Sequence, residues 1–213
     1  MKQRVFNLII LDESGSMSSI EKQAIDGVNE TVQTIRAAQK KHPEQEHLVS
    51  LVSFNSDEVK TFYNKVEAER VEDLTDKQYV PSCCTPLYDA MGNAINALRK
   101  SVANDDAVLV TIITDGYENA SSEYNGPAIK KLVETMKTKG WIFTYIGANQ
   151  DVEKVAASIS ITNTISFQTT SAGTQIMTDR VNRSRERLYC CMAKPDFSAE
   201  KANEHFFDDE AIK

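Results

Sequence analysis

The sequence predicts an α/β domain: a doubly wound, mostly parallel six-stranded sheet with helices on both faces and one short antiparallel edge strand. Three observations carry this. The apolar runs at residues 5–11 and 107–114 are nearly continuous instead of alternating, as in strands buried on both faces. Long amphipathic segments of helical period alternate with these short runs along the chain. One pair of runs, 48–54 and 59–64, is separated only by the turn-forming residues around Asn55-Ser56-Asp57, so it reads as a hairpin at a sheet edge.

Residues 5–11 form the first strand, and Asp12 ends it. A helix follows over residues 20–41, with Ile25, Val28, Val32 and Ile35 facing the sheet and Gly27 a mild break in propensity. His42-Pro43 stops it. After the hairpin, residues 65–80 are charged and weakly patterned, with one helical turn near 75–79, and residues 81–84 form a loop. Leu87, Met91, Ile95 and Leu98 mark the next helix. Pro86 fits its first turn, where a missing amide hydrogen costs little, and Thr85 is its cap. The strand at 107–114 ends in Asp115-Gly116. A helix from about Pro127 carries Ile129, Leu132, Val133 and Met136 and stops at Gly140. Then come a strand at 141–146, a short helix at 152–158 capped by Asp151, and a short edge strand at 163–167. The last long helix covers 174–191, with Ile176, Val181 and Leu188 toward the core. This gives one domain over residues 1–191. An acidic tail, 192–213, is docked or loose, with 199–207 a small helix containing Phe206 and Phe207.

Composition narrows the function. The 213 residues suit one domain with a substantial core, and a hydrophobic content of 41% is that of a globular chain. A net charge of −7 with no basic cluster beyond residues 180–187 argues against nucleic acid as a partner. No apolar run reaches the roughly 18 residues of a membrane span, so no membrane partner is expected. The first apolar run is short and ends in aspartate, unlike a secretory leader. Cys83, Cys84, Cys190 and Cys191 lie as two adjacent pairs without zinc-site spacing. The missing leader favours reduced thiols and a cytoplasmic location, with a bridge between the two pairs left open.

In open α/β sheets, ligands sit outside the carboxyl ends of the strands, where Asp12, Ser14 and Ser16 fall. One carboxylate and two hydroxyls at alternate positions of a tight turn make a hard-oxygen set suited to Mg2+, with Mn2+ close behind. Gly15 lets the backbone turn between them. The plain alternative is a polar turn with Ser18 or Ser19 capping the helix. Two further positions carry matching chemistry: Thr85, at the head of Thr85-Pro86-Leu87-Tyr88-Asp89, and Asp115 in Thr114-Asp115-Gly116. Together these resemble the von Willebrand factor A domain, also called integrin I-like, over residues 4–167. That family's metal-ion-dependent adhesion site uses an Asp-x-Ser-x-Ser loop, a distant Thr and a distant Asp, usually in Thr-Asp-Gly. The matching residues are Asp12, Ser14, Ser16, Thr85 and Asp115.

The resemblance implies a Rossmann-like sheet of order 3-2-1-4-5-6 with the short third strand antiparallel. It implies that Ser14, Ser16 and Thr85 ligate the ion directly, and that Asp12 and Asp115 often act through water. A partner protein's exposed Glu or Asp then takes a water's place on the metal. It suggests a stand-alone, intracellular, prokaryotic-type member. Nothing in the pattern requires a homo-oligomer. The family often has two glycines before the threonine; here Cys83 and Cys84 stand there, crowding the loop. A sulfur turned inward would favour zinc, whereas the plain reading is two small, partly buried hydrophobes. Glu13 is expected to point away from the ligands, to the rim or solvent. Tyr117, Glu118, Asn119 and Asn149 fall at the rim or just behind the ligands, ordinary loop polarity being the alternative for Glu118 and Asn119. Tyr117 and Tyr124 are candidate interface aromatics.

Three functions compete. The first is a non-enzymatic, metal-dependent protein-binding module. The second is a structural or regulatory subunit of an intracellular complex, binding without the metal. A metal-dependent phosphohydrolase with Asp12 as nucleophile ranks behind both, because Ser14 stands where a second carboxylate would be wanted. His42, His47 and His205 all fall away from the site, so no histidine is a natural general base. Neither glycine-rich phosphate-binding motif is present.

Overall fold

The computed structural model describes residues 2–148, 151–167, 170–192, 194 and 196–208. Its centre is a six-stranded sheet of order β3-β2-β1-β4-β5-β6, built from β1 (Gln3–Asp12), β2 (Gln45–Phe54), β3 (Val59–Glu67), β4 (Ala107–Thr114), β5 (Trp141–Ala148) and β6 (Asn163–Phe167). Only β3 runs antiparallel, against β2; the other pairings are parallel. β1 is central: Ile9 is in register with Leu51 of β2 and with Thr111 of β4.

Side-chain alternation divides the core. Val5, Ile9 and Leu11 face α1 (Glu21–Lys41) and α5 (Ser171–Met192), packing with Val28, Val32, Ile35, Val181 and Leu188. Phe6, Leu8 and Ile10 face the other way, toward α2 (Leu87–Leu98), α3 (Gly126–Lys137) and α4 (Val152–Ser158). Every residue of β4 and β5 is buried, which is why β4 reads as a continuous apolar run.

Several expectations need correction. The first helix begins at Glu21, after a 3-10 stretch at Gly15–Ile20. Ser18 and Ser19 do not cap α1: their hydroxyls donate backward to the carbonyls of Gly15 and Ser16. Thr85 is not the cap of α2 either; Pro86 holds that position, with no side-chain cap bond. Val181 and Leu188 of α5 are buried as expected, but Ile176 is 69% exposed and Met177 turns inward in its place. All four cysteines are free, and Cys83, Cys84 and Cys190 are exposed.

After α5, Ala202, Asn203, Phe206 and Phe207 are buried and extend the core. In α6 (Ala199–His205), Asn203 accepts from the Phe143 amide and donates to the Trp141 carbonyl of β5, at 3.1 and 2.8 Å. Phe206 and Phe207 are buried. Among the described residues, no helix is long and apolar enough to cross a membrane.

Candidate metal centre

Asp12 stands at the carboxyl end of the central strand, fully buried, with each carboxylate oxygen held. Oδ1 accepts from the Ser14 amide at 2.8 Å, and Oδ2 accepts from the Thr114 hydroxyl at 2.6 Å. The Tyr79 hydroxyl donates to the Asp12 carbonyl at 2.6 Å, and burial raises that phenol's pKa, so it remains a neutral donor. The chain then turns: the Ser14 and Ser16 hydroxyls lie 3.2 Å apart, and Ser16 Oγ donates to Asp115 Oδ1 at 2.6 Å. Strand order brings Asp12 and Asp115 together, since β1 and β4 are neighbours and end level with each other.

Thr85 comes from the loop before α2. Asn119 fixes it from both sides: its side chain accepts from the Thr85 amide at 2.8 Å, and its own amide donates to the Thr85 carbonyl at 3.1 Å. Glu118 holds the same loop against α2, accepting from the Tyr88 amide at 2.9 Å and from the Ala120 and Ser121 amides at 2.9 and 2.7 Å. Both residues thus tie the 118–121 loop to the segment that carries Thr85 and Tyr88.

Gly116 shows how closely the oxygens converge. A β-carbon placed there would lie 3.0 Å from Thr85 Oγ1, 3.3 Å from Ser16 Oγ and 3.5 Å from Asp12 Oδ2. Oxygens from two segments, the turn at residues 12–16 and the loop at Thr85, thus face one small space beside a third, which the absence of a side chain at Gly116 keeps open. Asp12, Ser14, Thr85 and Asp115 are buried, and Ser16 is exposed, so the cluster opens to solvent on the Ser16 side.

Both carboxyl groups have raised pKa values, for Asp12 and Asp115 alike chiefly through burial. Bonds from Thr114 and Ser14 offset this in part at Asp12, and the bond from Ser16 does so at Asp115. Among the described residues, no ion pair involves either one. Two carboxyls short of positive charge, beside three hydroxyls, form a donor set that fits a hard divalent cation. No group of three or more His, Cys, Asp and Glu side chains is placed to hold a metal among the described residues; hydroxyls make up the remainder of this set.

Other side chains differ from expectation. Glu13, read as rim or solvent-facing, is 1% exposed and lies inside the protein. Cys83 adopts φ +63°, a left-handed conformation that favours glycine, and its sulfur donates to Asp57 Oδ2 at 2.9 Å. The sulfur is thus occupied at an exposed carboxylate, and Cys84 is exposed as well, so neither is the partly buried hydrophobe expected. Tyr124, the other candidate interface aromatic, is half-buried: it packs over Gly92 of α2, and its hydroxyl accepts from Asn96 at 3.0 Å. Tyr117 is 55% exposed. Asn149 lies outside the described residues.

The family model of the von Willebrand factor type A domain matches residues 8–179. The chain belongs to this family. No curated protein sequence matches it significantly. Among solved structures, the D319A mutant of the PilB minor pilin from Streptococcus sanguinis is 14% identical with a TM-score of 0.60, covering 92% of this chain and 64% of the pilin. The chain therefore spans less than two thirds of that protein. The vWF domain of the type V pili tip protein Mfa5 from Porphyromonas gingivalis is 11% identical with a TM-score of 0.57, covering 93% of this chain and 99% of that domain. Manganese-loaded Plasmodium vivax TRAP protein is 14% identical with a TM-score of 0.56, covering 82% of this chain and 72% of that one. At these identities the likeness is one of fold.

The cytoplasmic location expected from the missing leader is overturned. The von Willebrand factor A fold seen here is that of a minor pilin and a pili tip protein, and where a chain begins does not place it in the cell.

Proposed function

We propose that this von Willebrand factor A domain is a non-enzymatic protein-binding module that holds Mg2+ or Mn2+ through Asp12, Ser14, Ser16, Thr85 and Asp115. The observation that carries the reading is the convergence of Thr85, Ser16 and Asp12 oxygens on the space beside Gly116. The bound ion supplies positive charge and a coordination position for an exposed Glu or Asp of a partner protein. The chain's own residues do the rest. Thr114 and the Ser14 amide hold the Asp12 carboxylate, Asn119 holds Thr85, and the exposed Ser16 side leaves room for an incoming group. The manganese-loaded state of TRAP is consistent with this chemistry on the same fold.

A second reading is metal-independent docking at the same face. It is favoured by the way the cluster satisfies itself, Ser16 donating to Asp115 and Thr114 to Asp12, without an ion.

Calorimetric titration with Mg2+ and Mn2+ decides between them. The wild type is expected to bind one divalent ion. Asp12→Ala abolishes binding, and Thr85→Ala weakens it by about tenfold or more, as loss of a ligand or its support does. No heat of binding at millimolar metal would leave only the metal-independent reading.

A further inference from the structure

We propose that Glu13 is the positioning residue that locks the loop bearing Ser14 and Ser16 to the loop bearing Thr85. The inference rests on the metal-binding reading above. Glu13 contacts none of the five candidate ligands through its carboxylate, yet it is 1% exposed and bonded to three separate segments. Oε1 accepts from Lys60 Nζ of β3 at 2.6 Å and from the Val80 amide at 2.7 Å; Oε2 accepts from the Ser53 hydroxyl of β2 at 2.5 Å.

Its main chain continues the pattern. The Glu13 amide donates to the Phe54 carbonyl at 2.8 Å, and its carbonyl accepts from the Ser82 amide at 2.9 Å. Two residues on, the Gly15 amide donates to the Cys83 carbonyl at 3.0 Å. Ser14 is therefore flanked on both sides by bonds to residues 82–83, and Thr85 follows two residues after Cys83. The first and second ligand loops form one ladder, with the Glu13 side chain as its brace against β2 and β3.

Burying a carboxylate against a lysine that stays 27% exposed is a poor way to add stability, because desolvation of the carboxylate offsets much of the attraction and an apolar side chain in its place avoids that cost. What an apolar residue cannot do is hold three donors in fixed directions. A metal site needs that fixity, since its ligands function only within about 0.5 Å of their places.

The test compares wild type with Glu13→Gln, which keeps the shape and removes the charge. Mn2+ affinity is measured by calorimetry, and amide hydrogen exchange is measured on the metal-free proteins. The expected result is affinity weakened by about 10- to 100-fold, the usual cost of losing a residue that orients ligands. Amides at 13–16 and 80–83 exchange about tenfold faster, while those of β4 and β5 are unchanged. Unchanged Mn2+ affinity in a folded Glu13→Gln protein overturns the inference and leaves the metal reading standing. If the wild type itself binds no Mn2+, the metal reading has failed, and exchange alone decides: unchanged rates at 13–16 and 80–83 overturn the locking role. Should Glu13→Gln not fold, Lys60→Met and Ser53→Ala each remove one arm of the brace. A loss of affinity in both, measured well below their melting temperatures, supports the role; no loss in either overturns it.

Discussion

Cys83 sits at φ +63° next to the ligand loop, a conformation that a β-carbon disfavours. For a residue with a β-carbon the left-handed region costs about 1–2 kcal/mol, which glycine avoids at an entropic cost of about 0.5–1 kcal/mol in the unfolded chain. Cys83→Gly is therefore expected to stabilise the protein by up to about 1 kcal/mol, raising the thermal midpoint. The substitution removes the thiol's hydrogen bond to exposed Asp57, while the Gly15 bond to the residue 83 carbonyl remains available. A lowered midpoint would show that the thiol bond outweighs the backbone strain. The residue scale is also where the site is most and least legible in the sequence. Asp12, Ser14, Ser16, Thr85 and Asp115 stand out because hydroxyls and carboxylates interrupt apolar strands at their ends. The groups that hold them are less legible. Tyr79, which acts on the Asp12 carbonyl across 67 residues of sequence, leaves no local signal. Asn119 is marked only by its nearness to Asp115, and its bond to Thr85 across 34 residues is not. Glu13 stands out as a charge inside the Asp-x-Ser-x-Ser loop, but its buried place beside Lys60, 47 residues away, does not.

At the scale of elements, α2 shows a close approach that spacing alone does not reveal. A β-carbon on Gly92 would lie 2.6 Å from two ring atoms of Tyr124 and 2.7 Å from a third. The ring cannot easily give way, because Asn96 holds its hydroxyl and Asp89 holds the Glu123 and Tyr124 amides at 2.9 and 2.8 Å. Helix propensity favours Gly92→Ala by about 1 kcal/mol, but overpacking of this kind costs about 1–3 kcal/mol. The expected net effect is destabilisation, read as a lower urea midpoint, and Gly92→Ala combined with Tyr124→Leu recovers part of it. A stabilised single variant would mean that the 120–125 loop moves aside freely. Elements themselves are legible where burial is two-sided or amphipathic: β4, α4 and β6 fall where their patterns put them. Sequence patterns fail where polar groups are buried. The start of β2 is Gln45, Glu46 and His47, of which Gln45 and His47 are fully buried and bonded to each other at 3.0 Å. In α5, Thr174, Thr178, Ser184 and Arg185 are buried beside Val181 and Leu188, so its apolar stripe is weak and Ile176 points to the wrong face.

Among the described residues, two buried polar regions are of opposite kind. At the carboxyl ends of the strands, the candidate metal centre gathers acidic groups without cations. Within the α1–α5 face, Arg185 is buried among hydroxyls, donating to Thr111 and, at 3.2 Å, to Tyr189, whose own hydroxyl donates to Asn7 at 2.5 Å. His47 closes this second region near the amino end of β2. Its ring lies edge-on to Tyr189 at 4.6 Å; Nε2–H donates to Gln45 Oε1, and Nδ1 is buried without a hydrogen-bond partner. Burial first, and the charge of His42 second, push its pKa down to about 4. An imidazole in the unfolded chain titrates near 6.5, so between that value and about 4 the unfolded state binds the proton and the folded state does not. Stability from neutral His47 is thus fully present above about pH 6.5 and is lost as pH falls toward 4, reaching a loss of about 2 kcal/mol by pH 5. Carboxyl groups titrate over the lower part of the same range, so the measurement is a difference: urea unfolding of wild type and His47→Phe at pH 7 and pH 5. Phenylalanine keeps a ring against Tyr189 and cannot take up a proton. The wild type is expected to lose about 2 kcal/mol more than the variant between the two conditions. Equal losses would mean that His47 becomes protonated in place, with the Gln45–Tyr189 network opening to admit the charge while the rest of the sheet stays folded.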